Sequence, residues 1–252
     1  MISVGSTVGN YKVMSRLGAG AMATVFLAEH PRINKRVAIK VIHPHLLGDD
    51  QTVARFYQEA RAASRLNHPN SVGVIDFGKT EDGQLYLVME FLRGKDLARV
   101  IYEEGPLSFR RIVDVIRQTL AALAEAHILG IIHRDLKPEN ILLIGPEDAE
   151  RVKLVDLSDA GDVGAPVRRV KDSTGKGASG PKGERSYRAP EQVRKRPPHP
   201  SMDVFALGVI MYEMLAGEHP FAAPKASPKG NGPKLGGHTI RTKAFDAPEV
   251  LL

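Results

Sequence analysis

Residues 132–143 read Ile132-His133-Arg134-Asp135-Leu136-Lys137-Pro138-Glu139-Asn140-Ile141-Leu142-Leu143. Between Asp135 and Asn140 this stretch carries a carboxylate, an ammonium (Lys137) and an amide, on a Pro-containing loop that runs into an apolar, strand-like segment. Phosphoryl transfer draws on that set. A carboxylate accepts the proton of an attacking hydroxyl, a cation offsets charge on the moving phosphoryl group, and an amide oxygen holds a metal ion. A surface turn that merely carries charges gives no reason for the three to stand together.

Outward from this loop, the chain supplies further groups of the same chemistry. Downstream, Arg151-Val152-Lys153-Leu154-Val155-Asp156 is a strand ending in a carboxylate. Upstream, Arg36 to Ile42 alternates with period two, which puts Ala38 and Lys40 on one face and Val37, Ile39 and Val41 on the other. The first face suits the roof of a nucleotide cleft: a small residue leaves room for a base, and an ammonium reaches phosphates. Asn10 to Leu17 reads as a strand, followed by Gly18-Ala19-Gly20-Ala21-Met22-Ala23-Thr24-Val25. A dinucleotide fold would place a helix after such glycines, whereas Thr24-Val25-Phe26-Leu27 is β-branched and aromatic and favours a strand.

With these motifs together, the chain resembles the eukaryotic-type, bacterial-like Ser/Thr protein kinases. Residues 133–140 match the H-R-D-L-x-x-x-N loop, Val37-Ala38-Ile39-Lys40 matches V-A-I-K, and Ala189-Pro190-Glu191 matches A-P-E. The resemblance implies Asp135 as catalytic base, Lys137 as charge stabiliser, and Glu59 as the carboxylate pairing Lys40 over the phosphates. It implies Asn140 and Asp156 as metal ligands and residues 18–25 as the phosphate cover, with Leu17 beside them. Glu90-Phe91-Leu92 would be the connector whose backbone bonds adenine, with Met89 behind it. Ala38 and Leu142 would line the nucleotide, and Asp96 would reach the ribose. Asp203 would anchor the catalytic-loop backbone. The Lys two positions past Asp135 favours Ser/Thr over Tyr acceptors.

The expected fold is α+β and bilobal: a five-stranded antiparallel N-lobe with one helix (11–92) and a mainly helical C-lobe (93–221). Asp50 to Leu66 is the N-lobe helix, capped by Asp49 or Asp50, with Val53, Phe56, Ala60 and Ala63 at helical spacing. Asn67-His68-Pro69-Asn70 ends it. Strands 71–78 and 84–91 follow, joined at Thr80-Glu81-Asp82-Gly83. Ser108 caps a helix to about Leu129, with an apolar stripe of Ile112, Val113, Ile116, Leu120, Leu123 and Ala124. Asp203 to Ala216 is apolar nearly all round and reads as a buried helix. The resemblance then stops. Residues 222–252 are a Pro/Gly/Lys-rich tail, expected to be poorly ordered, so the lobe is expected to lack its last third and to expose apolar surface around Phe205, Val209 and Tyr212. Arg241 is the only Arg left for the family's pairing with Glu191.

Three motifs depart from the family pattern. The third glycine of the loop is Ala23. The D-F-G triplet reads Asp156-Leu157-Ser158, and Ser in place of Gly restricts a backbone flip. Glu184 stands where the family carries a Thr beside the catalytic aspartate, and a carboxylate there would raise the pKa of Asp135. Residues 159–186 have loop composition and hold the candidate phosphoacceptors Ser173, Thr174, Ser179 and Ser186. A phosphate there would pair with Arg134.

Composition narrows the function classes. There is no Cys, which excludes disulfides and thiolate metal sites and is compatible with a cytoplasmic enzyme. No leader pattern opens the chain, and the longest apolar run, 204–211, is too short to span a bilayer. The net charge of +6 is local: residues 168–196 hold ten Lys/Arg against three carboxylates, a net +7 that leaves the rest at −1. With Tyr187 the only aromatic there, nucleic-acid binding is not expected. The basic segment suggests instead protein substrates with acidic residues beside the acceptor. The expected cofactors are ATP and Mg²⁺, with Mn²⁺ as a substitute. The leading expectation is a Ser/Thr kinase; the alternative is a nucleotide-binding pseudokinase or signalling scaffold.

Overall fold

A computed structural model describes residues 2–20, 22–156, 161–162 and 187–221, with Arg55, Gly161 and Asp162 described by backbone alone. The expectations placed on Ala21, Leu157, Ser158, the four phosphoacceptors, Glu184, Arg241 and the tail lie outside these residues. The described residues up to Phe221 belong to one compact unit.

The N-lobe sheet has strands β1 (Thr7–Val8), β2 (Tyr11–Ala19), β3 (Ala23–His30), β4 (Lys35–Ile42), β5 (Val74–Lys79) and β6 (Leu85–Glu90). All pairs are antiparallel, in the order β1-β2-β3-β4-β6-β5. Five strands are those expected. The sixth, β1, is too short to show as an alternating pattern, and pairs Thr7 with Lys12 and Val8 with Tyr11. Between β4 and β5 runs α1 (Asp50–Arg65), whose N-cap Asp49 accepts from Gln51 N and Thr52 Oγ1.

The sheet has two differently covered faces. Directly paired residues of antiparallel strands share a face, so Val25, Lys40 and Leu87 align, as do Leu27, Ala38 and Met89. Phe56 and Ala60 of α1 pack against Leu85 and Leu87 on this side. The opposite face, with Val37, Ile39, Val41 and Val88, closes on Val8, Tyr11 and Val13.

The C-lobe begins with β7 (Lys95–Asp96) and α2 (Leu97–Glu104), then α3 (Phe109–Ile128), which Ser108 caps, and β8 (Ile131–Ile132). Strands β9 (Ile141–Ile144) and β10 (Arg151–Leu154) form a three-stranded sheet with β7, and β11 (Gly161–Asp162) pairs with β8. Helices α4 (Pro190–Val193) and α5 (Ser201–Ala216) complete it. The connector reaches β7 through Gly94, where any Cβ would collide with the Leu143 carbonyl. One core joins Leu97, Ile112, Leu123, Ile141, Leu154 and Ile210. A second cluster, of Ala62, Ala63 and Leu66 with Ala126 and Ile131, fastens the end of α1 to the C-lobe.

Two expected apolar faces are rotated. On α3 the buried line is Ile112, Val115, Thr119, Ala122, Leu123 and Ala126, whereas Val113, Leu120 and Ala124 are exposed. The buried line also includes Arg111, satisfied by carboxylates, and a polar residue at a core position shifts any stripe drawn from apolar residues alone. On α5, Val209 is buried and Phe205 half-buried, while the outward apolar residues are Val204, Met211, Tyr212 and Leu215. Helical spacing of 4, 3 and 4 puts Val204, Gly208, Met211 and Leu215 on one line. Among the described residues, no helix is long and apolar enough to cross a membrane.

Candidate active site

The loop of residues 133–140 hangs from α5. Asp203, itself buried, accepts from the backbone N–H of His133 (2.9 Å) and Arg134 (2.8 Å). Its Oδ2 also lies 2.8 Å from His127 Nε2 on α3, a partner with no local signal among its sequence neighbours. Arg134 is held at φ +67°, a region costly for a residue with a Cβ, and its carbonyl accepts from Gln192 Nε2 at 2.6 Å. Three bonds from α4 and α5 thus fix the backbone immediately before Asp135, and His127 of α3 steadies the Asp203 carboxylate that makes two of them.

Beyond this anchor the polar groups link in one series. Lys137 Nζ is 2.9 Å from Asp135 Oδ2. Asn140 Nδ2 donates to the Asp135 carbonyl at 2.8 Å, and the Asn140 carbonyl accepts from Val155 N at 3.0 Å. Asp156 follows directly, at φ +62°, and its Oδ1 lies 2.9 Å from Lys40 Nζ. The same Nζ donates to Glu59 Oε1 at 2.7 Å. Groups from β4, α1, the 133–140 loop and the end of β10 therefore meet in one place.

Electrostatics hold the two lysines charged. Burial alone pushes Lys40 down, but the carboxylates of Glu59 and Asp156 outweigh it, so its pKa is raised above the usual 10.5. Lys137 follows the same balance: desolvation lowers it, and the hydrogen bond and charge of Asp135, with Glu139 and Asp156, raise it overall.

The expected nucleotide-lining residues take these places. Gly18 and Ala19 end β2 opposite Val25 and Thr24, and Gly20 N donates to the Ala23 carbonyl, closing the loop. Leu17 is exposed at the strand edge and Ala23 is buried. The Met22 carbonyl accepts from His43 N, and Thr24 Oγ1 lies 3.1 Å from His43 Nε2. Ala38, Met89 and Leu92 are half-buried, and half-buried Leu142 pairs across strands with Asp96. Asp96 caps α2, accepting from Arg99 N at 2.8 Å, so one of its oxygens is committed away from any ribose. Glu90 lies on the face away from Lys40, and its carboxylate binds Gly73 N and Lys153.

Two hard oxygen donors suit a divalent cation here. The amide nitrogen of Asn140 is taken by Asp135, which leaves its oxygen, and the Asp156 carboxylate is 38% exposed. A Mg²⁺ site built of few protein oxygens plus phosphates and water has that donor set. No group of three or more His, Cys, Asp or Glu residues clusters among the described residues, so a cation here would draw further oxygens from its phosphates.

The A-P-E motif is docked on α5. Tyr187 donates to Glu213 Oε2 at 2.6 Å, and Glu191 Oε1 accepts from Ser201 Oγ at 3.0 Å. Burial, then Glu213, then Glu139 push the Tyr187 phenol well above its ordinary pKa of 10.0.

Comparison with known proteins adds a family. The protein kinase domain model matches residues 11–251. The Myxococcus xanthus serine/threonine-protein kinase pkn3 is 41% identical over 231 residues, 88% of this chain and 41% of that protein. Mycobacterium tuberculosis serine/threonine-protein kinase PknL is 39% identical over 217 residues, 86% of this chain and 51% of that one. The chain thus spans about half the length of these curated relatives, or less. Among solved structures, the Mycobacterium tuberculosis PknI kinase domain superposes with a TM-score of 0.68 at 28% identity, covering 90% of this chain and 83% of that one.

Proposed function

The chain belongs to the protein kinase domain family, and from that premise we propose that it transfers the γ-phosphate of ATP to Ser or Thr hydroxyls of proteins. One observation carries this: the unbroken series Glu59–Lys40–Asp156, then Val155–Asn140–Asp135–Lys137. Asp135 accepts the proton of the attacking hydroxyl. Lys137, on its other oxygen, offsets charge on the transferred group. Lys40, held by Glu59, orients the phosphates under the cover of residues 18–25. A family member uses ATP with a divalent metal; Mg²⁺ is the ion we assign to Asn140 and Asp156, with Mn²⁺ as a substitute. Held by the Asn140 and Asp156 oxygens, it would supply positive charge against the phosphates. The catalytic unit is taken as residues 11–221, and ATP supply places it in the cytoplasm.

The names of the relatives support catalysis over a nucleotide-binding scaffold, the reading that Ser158 and Glu184 favour. One assay separates the two: transfer of labelled γ-phosphate to a generic basic protein, with Asp135→Asn as control. Label present with the parent and lost with the variant is expected; equal label in both overturns catalysis. The basic segment 168–196 further suggests acceptors flanked by acidic residues, and a preference for basic flanks on peptide arrays would overturn that.

A further inference from the structure

Behind the connector, away from the nucleotide side, lies a charged contact that the reaction does not use. Lys153 sits on β10, pointing opposite to the core residues Val152 and Leu154. Its Nζ donates to the Ser71 carbonyl at 3.0 Å and to Glu90 Oε1 at 2.5 Å. The same Oε1 accepts Gly73 N–H at 2.8 Å, and Glu90 N–H donates back to the Gly73 carbonyl at 2.9 Å. Three segments therefore meet at one ammonium: the chain leaving α1, the last residue of β6, and strand β10, which ends two residues before Asp156. Backbone pairing reinforces the junction, since Val72 N bonds the Leu154 carbonyl and Leu154 N bonds the Asn70 carbonyl.

We propose that Lys153 and Glu90 are positioning residues, forming an ionic clasp between the lobes that sets nucleotide affinity without touching the nucleotide. The proposal rests on the kinase reading above. Glu90 precedes the connector, and its carboxylate is fixed on the far face, so its own backbone and that of Phe91 and Leu92 are presented to the cleft in one orientation. Lys153 lies three residues before Asp156, so the same bond holds the strand that brings Asp156 to Lys40. Loss of the clasp loosens both sides of the nucleotide site at once. It leaves Asp135 and Lys137 anchored through Asp203, which predicts an effect on binding and little on the chemical step.

The surroundings favour variants that fold. A cavity of about 280 Å³, lined by Lys35, His68 and Val74 among others, opens beside the pair. Glu90 is 34% exposed, and without Lys153 it keeps the Gly73 N–H and gains water. Lys35 and His68 are the other cationic or titratable groups facing it there.

The test uses the whole chain. Dissociation constants for a fluorescent ADP analogue, KM for Mg·ATP and kcat are measured for Lys153→Met, Glu90→Gln, the double variant and Lys153→Arg. Each single neutral variant is expected to weaken nucleotide binding and raise KM by about tenfold, with kcat changed less than about threefold. The double variant should be no worse than either single one, because both remove the same charge pairing. Lys153→Arg, which keeps the charge and donors, should stay within about twofold of the parent. Unchanged nucleotide affinity in folded Glu90→Gln or Lys153→Met overturns the clasp, as does a fall in kcat at constant KM. A parent chain that binds no nucleotide overturns the kinase reading and the clasp with it, whereas binding without transfer overturns only catalysis.

Discussion

Two cations each gather carboxylates from other elements, Glu59 and Asp156 around Lys40 and Glu104, Glu147 and Glu150 around Arg111, and they differ in what they leave open. Lys40, on β4, makes one bond each to Glu59 and Asp156. Arg111, on α3, grips Glu150 through Nε at 2.9 Å and Nη2 at 2.7 Å, and also contacts Glu104. The Arg111 pKa is raised foremost by the Glu150 hydrogen bonds. Glu150 is 10% exposed and its fork is closed, whereas Asp156 is 38% exposed beside an amide oxygen. An ammonium is a point charge that can exchange partners; a guanidinium bound bidentately fixes two planes. Similar charge inventories therefore serve a site at Lys40 and a staple at Arg111.

The sharpest break of this contrast is Lys40→Arg. Charge is retained but the point geometry is lost, so phosphoryl transfer should fall by about 100-fold or more while Tm moves little. Activity and thermal melting measured together check it; a large Tm drop at normal turnover would make Lys40 a staple as well. Arg111→Met should do the reverse. Leaving Glu150 unpaired costs about 3 kcal/mol, or a Tm lower by roughly 6–12 °C, with kcat per folded molecule within about twofold. A smaller effect is expected for Arg111→Lys, which keeps the charge and loses the fork, at about 1 kcal/mol by chemical denaturation.

The last test concerns pH, where the expected effect is nil. The folded pKa of Lys40 is raised, so its stabilising contribution is complete below its usual 10.5 and is lost only as pH rises through the higher folded value. Nucleotide affinity of the parent and of Lys40→Arg should therefore run parallel from about pH 6 to about pH 9. A parent curve that falls away alone near pH 8 would show Lys40 losing its proton there.

Legibility in the sequence varied by the kind of signal. Asp49 and Ser108 cap their helices because an N-cap acts within three residues. The Lys40 face of β4 followed from period-two alternation, and the hairpin at Thr80–Gly83 from its turn residues, with Gly83 at φ +87°. By contrast, the buried line of α3 differs from its apolar stripe, since Arg111 and Thr119 are buried and apolar Val113 and Leu120 are not. His127 and Gln192 gave no signal, because each acts through a contact with residues far along the chain. Lys153 is one residue of the run 151–156, and only the approach of Glu90 and Ser71 makes it a junction.

By itself, the sequence determined which functional groups this protein owns and the order in which they stand, because motif residues and local periodicity are properties of neighbouring positions. Tertiary structure alone decided which of them touch. Helix phase, the closure of α1 on β4 and the meeting of β10 with the connector depend on packing across the chain, and packing energy is not written in any one segment.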